Sequence, residues 1–286
     1  MISQLKNLAI PTIAFIGGGN MAEAILGGLV AAGHPVDRLR YSEPFDARRQ
    51  YMQSKYPEVK AETSNTAAVE GADVIVLAVK PQVLRNVVQD LAPVFQQTEA
   101  LVLSIVAGIK TSDILRWMNA SHPVALVRSM PNTPALIGEG AVGLFATNVV
   151  SEKQRETTET IMNSIAKKII WVEKEGLVDS VTGMSGSGPA YFFLMMEAMQ
   201  DAGVAAGLTP EEAKDLTLQT CLGAARMALE SEDDLPTLRS KVTSPNGTTE
   251  AAIKSMEKSN IRKLMLDAVM AATARSQELA EQLGKD

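Results

Sequence analysis

A short stretch late in the chain has the residue types of an anion-binding site. It reads Ser244-Pro245-Asn246-Gly247-Thr248-Thr249 and is called the polar loop below. Its proline and glycine break regular structure, and residues 250–258 have a helical pattern. The first N–H groups of a helix have no partner inside the helix and favour negative charge. The polar loop therefore predicts a carboxylate site, and the alternative is a plain helix cap.

A glycine-rich stretch near the beginning of the chain predicts a dinucleotide site. It reads Phe15-Ile16-Gly17-Gly18-Gly19-Asn20-Met21-Ala22, after a strand-like run, and residues 16–22 are called the glycine loop below. In the pattern G-x-G-x-x-G/A, Gly17 permits the tight turn, Gly19 lets the backbone approach a pyrophosphate, and Ala22 allows close packing. The alternative is a glycine-rich turn without a ligand.

An acidic residue ends the next strand-like run. Glu43 follows Ala22 by 21 residues, the place where an acid accepts hydrogen bonds from the ribose hydroxyls of NAD. It would repel the 2′-phosphate of NADP, but Arg48 and Arg49 are close enough in sequence to compensate. A turn residue before Pro44 is the alternative. The choice between NADH and NADPH stays open.

Two further strand ends are candidate cofactor contacts because the carboxyl ends of parallel strands face the ligand crevice. One is Ala78-Val79-Lys80-Pro81, in which Lys80 either approaches an anion or is simply solvated. The other includes Ala107 and Gly108, whose small size would leave space for a nicotinamide ring. The rigid turn Met130-Pro131-Asn132-Thr133-Pro134 is expected to form another wall, as structure more than as chemistry.

Groups for acid–base catalysis are few. The two histidines, His34 and His122, each precede a proline at positions toward the amino ends of strands, away from the crevice. Oxidation of an alcohol needs a group that takes up the hydroxyl proton during hydride transfer. A protonated imine is already electrophilic, and its reduction to an amine needs no proton transfer in the same step. The sequence therefore favours reduction of an imine and a site that mainly positions its reactants. It indicates no metal site.

Composition limits the classes of partner. A net charge of −6 over 286 residues argues against nucleic acid, which needs a basic face. The longest central apolar run, residues 189–196, is too short to span a membrane. The single cysteine, Cys221, excludes an internal disulfide, and the N-terminal residues show no signal peptide, so a cytoplasmic location is expected.

The pattern of elements predicts an α/β fold. Apolar strand-like runs at residues 12–16, 39–42, 74–79, 101–105 and 124–127 alternate with helical segments, and runs at 141–146 and 169–172 add edge strands. We expect an N-terminal Rossmann-type doubly wound parallel sheet at 1-168, followed by a smaller all-α domain at 169-286. The later helices are apolar on more than one face, which favours association through them.

The chain resembles the Δ1-pyrroline-5-carboxylate reductases almost end to end. The resemblance includes residues 15–22, 78–81 and 130–134, and it is most specific at 181–191, Val-Thr-Gly-Met-Ser-Gly-Ser-Gly-Pro-Ala-Tyr, and at 242–249. It implies reduction of a cyclic imino acid to L-proline with NADPH or NADH. It also implies an all-helical dimerisation domain, a homodimer or a larger homo-oligomer up to a decamer, and a substrate pocket completed by the partner subunit.

The resemblance also assigns roles to residues. It implies that Thr249 hydrogen-bonds the ring nitrogen, as an orienting group or as proton donor, and that the substrate is bound by Ser244, Asn246, Gly247, Thr248 and Glu232. It places Asn65 against the adenosine part of the cofactor. Many members that favour NADPH have a small residue or a basic context after the second strand, and Glu43 departs from that pattern.

Two other functions are weighed against this one. A β-hydroxyacid dehydrogenase would share the glycine-rich opening and the helical second domain, and that family's resemblance implies a lysine in the first long helix after the sheet. Here no Lys or Arg lies between Glu175 and Ala213, and Tyr191 and Phe192 occupy that helix. A non-catalytic dinucleotide-binding regulator would keep the glycine loop but would not need the polar loop.

Overall fold

A single eight-stranded sheet organises the first part of the chain. The computed structural model describes residues 10–285, so the expectation about a signal peptide, which rests on residues 1–6, lies outside the described residues. The strands are β1 (Ile13–Ile16), β2 (Leu39–Ser42), β3 (Lys60–Glu62), β4 (Val74–Leu77), β5 (Leu101–Ser104), β6 (Leu126–Met130), β7 (Gly140–Ala146) and β8 (Ala166–Trp171).

The sheet has the order β3-β2-β1-β4-β5-β6-β7-β8. Neighbouring strands are parallel except for β6 and β7, which are antiparallel. The order reverses between β1 and β4, which is where ligands bind in open parallel sheets. The fold is therefore the predicted doubly wound, Rossmann-type sheet with additional strands at one edge.

Helices cover both faces of this sheet. They are α1 (Asn20–Ala31), α2 (Asp46–Lys55), α3 (Asn65–Val69), α4 (Pro81–Asp90), α5 (Ala92–Phe95), α6 (Thr111–Met118), α7 (Glu152–Asn163) and α8 (Leu177–Val181). Alternate residues of β1 belong to opposite cores: Phe15 lies in the core that includes residues of α1, α2 and α7, and Ile16 lies in the core that includes residues of α3 to α6. Burial on both faces explains why β1 and β4 are apolar throughout.

The later helices are α9 (Gly188–Ala205), α10 (Pro210–Glu230), α11 (Leu235–Lys241), α12 (Thr248–Lys258) and α13 (Ile261–Leu283). Helix α10 begins with a capping box, in which Thr209 and Glu212 satisfy each other's backbone N–H groups. Between residues 10 and 285, no helix combines the length and the apolar character that a bilayer crossing requires.

Five of the strands and α-helices were not predicted: β3, α3, α5, α7 and α8. The short strand β3 and the short helix α3 have little apolar pattern, but α7 has a signal in the sequence: Ser151 and Gln154 form a capping box at its start. The predicted strand 124–127 is displaced, because β6 continues through Arg128 to Met130. A charged residue ends an apolar pattern in the sequence, whereas in the structure Arg128 is buried and paired.

The buried ion pairs of Arg128 connect four elements. Its guanidinium lies 3.3 Å from the Glu175 carboxylate and 3.4 Å from that of Asp179 in α8. Glu175 also accepts hydrogen bonds from the backbone N–H and the hydroxyl of Thr111, at 2.6 and 2.8 Å, and so caps α6. Asp179 accepts a hydrogen bond from Ser276 of α13 at 2.7 Å.

All members of this network belong to the first of two compact units. The unit contains the chain up to Gly186 and again from Ala271 onward, and the second contains Ser187–Met270. The predicted division between 168 and 169 would cut β8, and it would separate Arg128 from its partners Asp179 and Ser276. The compact units thus divide the chain at other positions. The assignment of cofactor binding to 1-168 and of dimerisation and substrate binding to 169-286 stays a prediction.

Replacing Arg128 by leucine should destabilise the protein strongly. Arg128→Leu leaves two carboxylates in a buried site without their cation, which we expect to lower the free energy of unfolding by about 3–5 kcal/mol. Urea denaturation at one fixed protein concentration measures the loss. Arg275→Leu is the matched control because its ion pair with Glu278 is exposed, and it should cost less than about 1 kcal/mol. Equal losses for both variants would contradict the role assigned to Arg128.

Candidate functional site

The glycine loop connects β1 to α1 at the sheet's switch point. Gly17 has a φ of +100°, and a Cβ added to it would lie 2.8 Å from the carbonyl oxygen of Ala78. Gly19 caps α1 without a side-chain hydrogen bond, and a Cβ on it would meet no atom within 4 Å. The loop therefore combines a close backbone approach with open space at a helix N-terminus, and these features fit a pyrophosphate.

The sheet register brings most of the predicted cofactor residues to one edge. Ile16 pairs with Ser42 of β2 on one side and with Leu77 of β4 on the other, and Leu77 pairs with Ser104 of β5. The carboxyl ends of these four strands are called the crevice edge below. The predicted cofactor residues at these strand ends or in the loops that follow them are the glycine loop, Glu43, Ala78, Val79, Lys80, Pro81, Ala107 and Gly108.

Glu43 is buried against the glycine loop. One carboxylate oxygen accepts the Gly18 N–H at 3.0 Å, and the other accepts the Phe45 N–H at 2.9 Å. Next to it, the Ser42 hydroxyl donates a hydrogen bond to the side-chain carbonyl of Asn65 at 2.6 Å. Asn65 is the first residue of α3, so the fold brings it to the crevice edge as its assignment to the adenosine part requires.

The remaining cofactor candidates have different surroundings. Lys80 is exposed and caps α4, with Pro81 as the first helical residue. Ala107 is exposed, whereas Gly108 is buried with a φ of +70°. A Cβ on Gly108 would lie 3.4 Å from Cβ of Leu279 in α13, so the space over this glycine is already filled by protein. Backbone conformation and packing account for this glycine.

Two sequence motifs meet through one side chain. The amide of Asn132 donates to the carbonyl of Ser185 at 3.1 Å, and its oxygen accepts the Ala141 N–H at 2.9 Å. Residues Thr182–Gly186 form a turn of π-helix, a geometry that is common near functional sites. From the sequence, the Met130–Pro134 turn is expected to be structural, but no local pattern predicts this bridge because the two motifs are far apart in the chain.

The polar loop belongs to the second compact unit. Asn246 has a φ of +59°, the Gly247 N–H donates to the carbonyl of Ser244 at 3.1 Å, and the Asn246 N–H donates to Glu250 at 2.9 Å. Gly247 caps α12 without a side-chain hydrogen bond, so Thr248 and Thr249 begin a helix whose cap residue supplies no acceptor of its own. This arrangement fits a bound carboxylate.

Electrostatics also keep the polar loop in place. A hydrogen bond from Lys254 and the Asn246 N–H hold the pKa of Glu250 below its ordinary value, so this carboxylate stays ionised and keeps its hold on the loop at neutral pH. Glu232 is exposed in the same unit, two residues before Asp234, which caps α11. Its assignment to the substrate stays a prediction.

The histidines lie as expected, away from the crevice edge. A ring nitrogen of His34 is 3.0 Å from the carbonyl oxygen of Pro11, which precedes β1, and burial lowers the pKa of this histidine. His122 is half-buried ahead of β6, with its ring 3.2 Å from the carbonyl oxygen of Pro123. Within residues 10–285, no group of three or more His, Cys, Asp and Glu side chains could hold a metal ion.

Comparison with known proteins gives matches in both parts of the chain. Residues 12–108 match a family model described as NADP oxidoreductase, coenzyme F420-dependent, and residues 175–279 match one described as pyrroline-5-carboxylate reductase dimerisation. A curated pyrroline-5-carboxylate reductase from Pseudomonas aeruginosa is 48% identical over 278 residues, covering 97% of this chain and all of that protein.

Solved structures give the same result. The pyrroline-5-carboxylate reductase of Coxiella burnetii superposes with a TM-score of 0.90 at 42% identity, covering 95% of this chain and 99% of that one. The Plasmodium falciparum pyrroline carboxylate reductase, solved with NADP bound, has a TM-score of 0.81 at 31% identity, with coverage of 94% and 98%.

Substitution of Gly17 by alanine should remove dinucleotide binding. The new Cβ meets the Ala78 carbonyl, and the positive φ adds strain of about 1–3 kcal/mol. Gly33→Ala is the matched control, because Gly33 has a φ of +86° but open space around it. We expect both variants to lose stability in thermal unfolding and only Gly17→Ala to lose NADH binding in a fluorescence titration. Unchanged binding by Gly17→Ala would contradict the placement of the cofactor.

Proposed function

The chain belongs to the pyrroline-5-carboxylate reductase family, and we infer that it carries out the reaction for which the family is named. It is an NAD(P)H-dependent oxidoreductase that reduces the C=N bond of 1-pyrroline-5-carboxylate to give L-proline, the last step of proline biosynthesis. The observation that carries this conclusion is the match to curated reductases over nearly the whole chain. It selects this function over the dehydrogenase and regulator alternatives.

We propose that the crevice edge holds the cofactor. The open helix N-terminus at Gly19 would take the pyrophosphate, and Glu43 and Asn65 would contact the adenosine part. When bound, NAD(P)H supplies the hydride that reduces the imine carbon. The protein's task is to hold the ring next to the nicotinamide and to exclude competing reactions. Ala78, Val79, Lys80, Pro81 and Ala107 complete the proposed cofactor contacts.

We propose that the polar loop binds the substrate carboxylate. The N–H groups at the start of α12 and the side chains of Ser244 and Asn246 supply donors, and the helix dipole favours the negative charge. Thr249 would hydrogen-bond the ring nitrogen, because it lies in the first turn of the same helix. Its hydroxyl would accept a hydrogen bond from the protonated ring nitrogen and so orient the imine; hydride addition to that protonated C=N bond gives the amine without a further proton. Gly247, Thr248 and Glu232 complete the proposed substrate contacts.

The chain functions as a homo-oligomer, as the matched dimerisation model indicates. Helices α9 and α10 have exposed apolar side chains, among them Phe193 (64% exposed), Leu194 (66%) and Leu229 (85%), and an apolar surface of this kind needs a partner. We propose that dimers assemble further, up to a decamer. We also propose a cytoplasmic location, because the single Cys221 fits a reducing compartment.

Thr249→Ala should impair turnover without affecting the cofactor. Loss of one hydrogen bond to a charged group corresponds to about 1.5–3 kcal/mol, so we expect kcat to fall roughly tenfold to a hundredfold. The assay follows NADH or NADPH oxidation with 1-pyrroline-5-carboxylate, and a separate titration measures NADH affinity. Thr249→Ser should restore most of the rate, and Ser255→Ala, on an exposed position of α12, should match the wild type. Absence of turnover by the wild type with either nucleotide would refute the function.

The oligomer should depend on the apolar surface of the second unit. Sedimentation should give the wild type a mass that is a multiple of the 30.6 kDa chain, ten chains for a decamer. Leu194→Glu places a charge on the apolar surface and should shift the protein to smaller species. Val149→Glu, at an exposed loop of the first unit, is the control and should leave the mass unchanged. A monomeric wild type at micromolar concentration would contradict the proposal.

A further inference from the structure

We propose that this reductase prefers NADH to NADPH, and that Glu43 determines the preference because the arginines beside it are already engaged. The inference rests on the proposed function, since it assumes that the adenosine ribose lies at the end of β2. The sequence alone left the question open, because Arg48 and Arg49 could have neutralised a 2′-phosphate. The structure shows what each of these three side chains does.

The Glu43 carboxylate is held in place by two backbone N–H groups. It is 6% exposed, and its two oxygens accept the N–H groups of Gly18 and Phe45. An ionised carboxylate only accepts hydrogen bonds, so its remaining lone pairs suit the hydroxyls of a ribose. A 2′-phosphate carries about −1.5 to −2 charges at neutral pH and also has only acceptors to offer. It would be repelled by Glu43 and would gain no hydrogen bond from it.

Arg48 is bound to the glycine loop and to α1. Its Nε donates to the carbonyl of Gly18 at 2.6 Å, and one terminal nitrogen is 2.6 Å from the Glu23 carboxylate. The guanidinium also lies over the ring of Tyr51, 4.9 Å from its centre. Three contacts fix this side chain, and a 2′-phosphate would have to break a close ion pair to recruit it.

Arg49 is bound to the strand end and to its own helix. It donates to the backbone carbonyl of Glu43 at 2.7 Å, and its other terminal nitrogen pairs with Asp46. Its side chain is only 17% exposed. Movement of Arg49 toward a ligand would leave the Glu43 carbonyl and the Asp46 carboxylate without these bonds, which opposes its use as a phosphate ligand.

The charges around Glu43 are balanced without a ligand. Glu23 binds both Arg48 and Lys55, each at 2.6 Å. Burial alone would raise the pKa of Glu23, but the hydrogen bonds from Lys55 and Arg48 outweigh it and hold the pKa below its ordinary value. Three carboxylates therefore face three cations in this cluster: Glu23, Glu43 and Asp46 with Arg48, Arg49 and Lys55. A phosphate dianion would add uncompensated negative charge.

The first test compares the two nucleotides on the wild-type enzyme. We expect kcat/KM for NADH to exceed that for NADPH by at least about tenfold at saturating 1-pyrroline-5-carboxylate. Calorimetric titration with AMP and with adenosine 2′,5′-bisphosphate measures the same discrimination without turnover, and AMP should bind more tightly. An NADPH preference, or tighter binding of the bisphosphate, would overturn the inference.

The second test assigns the discrimination to Glu43. Glu43→Gln keeps an oxygen that can accept the Gly18 N–H and removes the charge, so it should reduce the NADH-to-NADPH ratio by at least about tenfold. Glu58→Gln is the control: it makes the same substitution at an exposed glutamate that precedes β3, and it should leave the ratio unchanged. Glu23→Gln releases Arg48 from its ion pair and should improve binding of the bisphosphate while leaving AMP binding as it was.

The outcomes separate this inference from the proposed function. If neither nucleotide is oxidised, the reductase assignment fails, and the AMP titrations still report on Glu43. If turnover occurs but the ratio is the same in wild type and Glu43→Gln, the reductase assignment holds and the role of Glu43 is overturned. If Glu43→Gln does not fold, as seen by circular dichroism, Glu23→Gln decides: bisphosphate binding that does not improve overturns the inference.

Discussion

The first compact unit depends on a buried cation that binds segments from distant parts of the chain. Arg128, in β6, pairs with Glu175 and Asp179, and these carboxylates in turn bind the start of α6 and Ser276 of α13. A buried charge is tolerated only when it is paired and hydrogen-bonded, so these segments must meet at one place. The network thereby joins α8 and the end of α13 to the nucleotide-binding sheet.

The two helices proposed to hold the cofactor pyrophosphate and the substrate carboxylate, α1 and α12, both begin at a glycine cap with no side chain to offer. By contrast, Ser151, Thr209 and Asp234 cap their own helices, and Glu175 serves α6. A glycine cap is not confined to the proposed sites, since α8 also begins at one, Gly176. At α1 and α12 it leaves the first N–H groups available to an anionic ligand.

The fold and most of the candidate site were readable from sequence because their signals are local. Apolar strands, the spacing of Gly17, Gly19 and Ala22, and the position of Glu43 depend on neighbours along the chain. The bridge from Asn132 to Ser185 joins residues 53 positions apart, and no short pattern announces such a contact. Gly108 is the opposite case. Its small size predicts space for a nicotinamide ring, but in the structure Leu279 of the distant helix α13 packs against it.

The sequence by itself determined the doubly wound sheet, the glycine loop, the polar loop and the resemblance that names the reaction. Periodicity, backbone-breaking residues and motif spacing depend only on the order of residues, so they can be identified without a three-dimensional structure. Only the tertiary structure decided that Arg128 is buried and paired, that β6 runs through it, and that Arg48 and Arg49 are engaged around Glu43. The role of a charged side chain depends on which groups surround it in the folded protein, because burial and pairing determine the free energy of the charge.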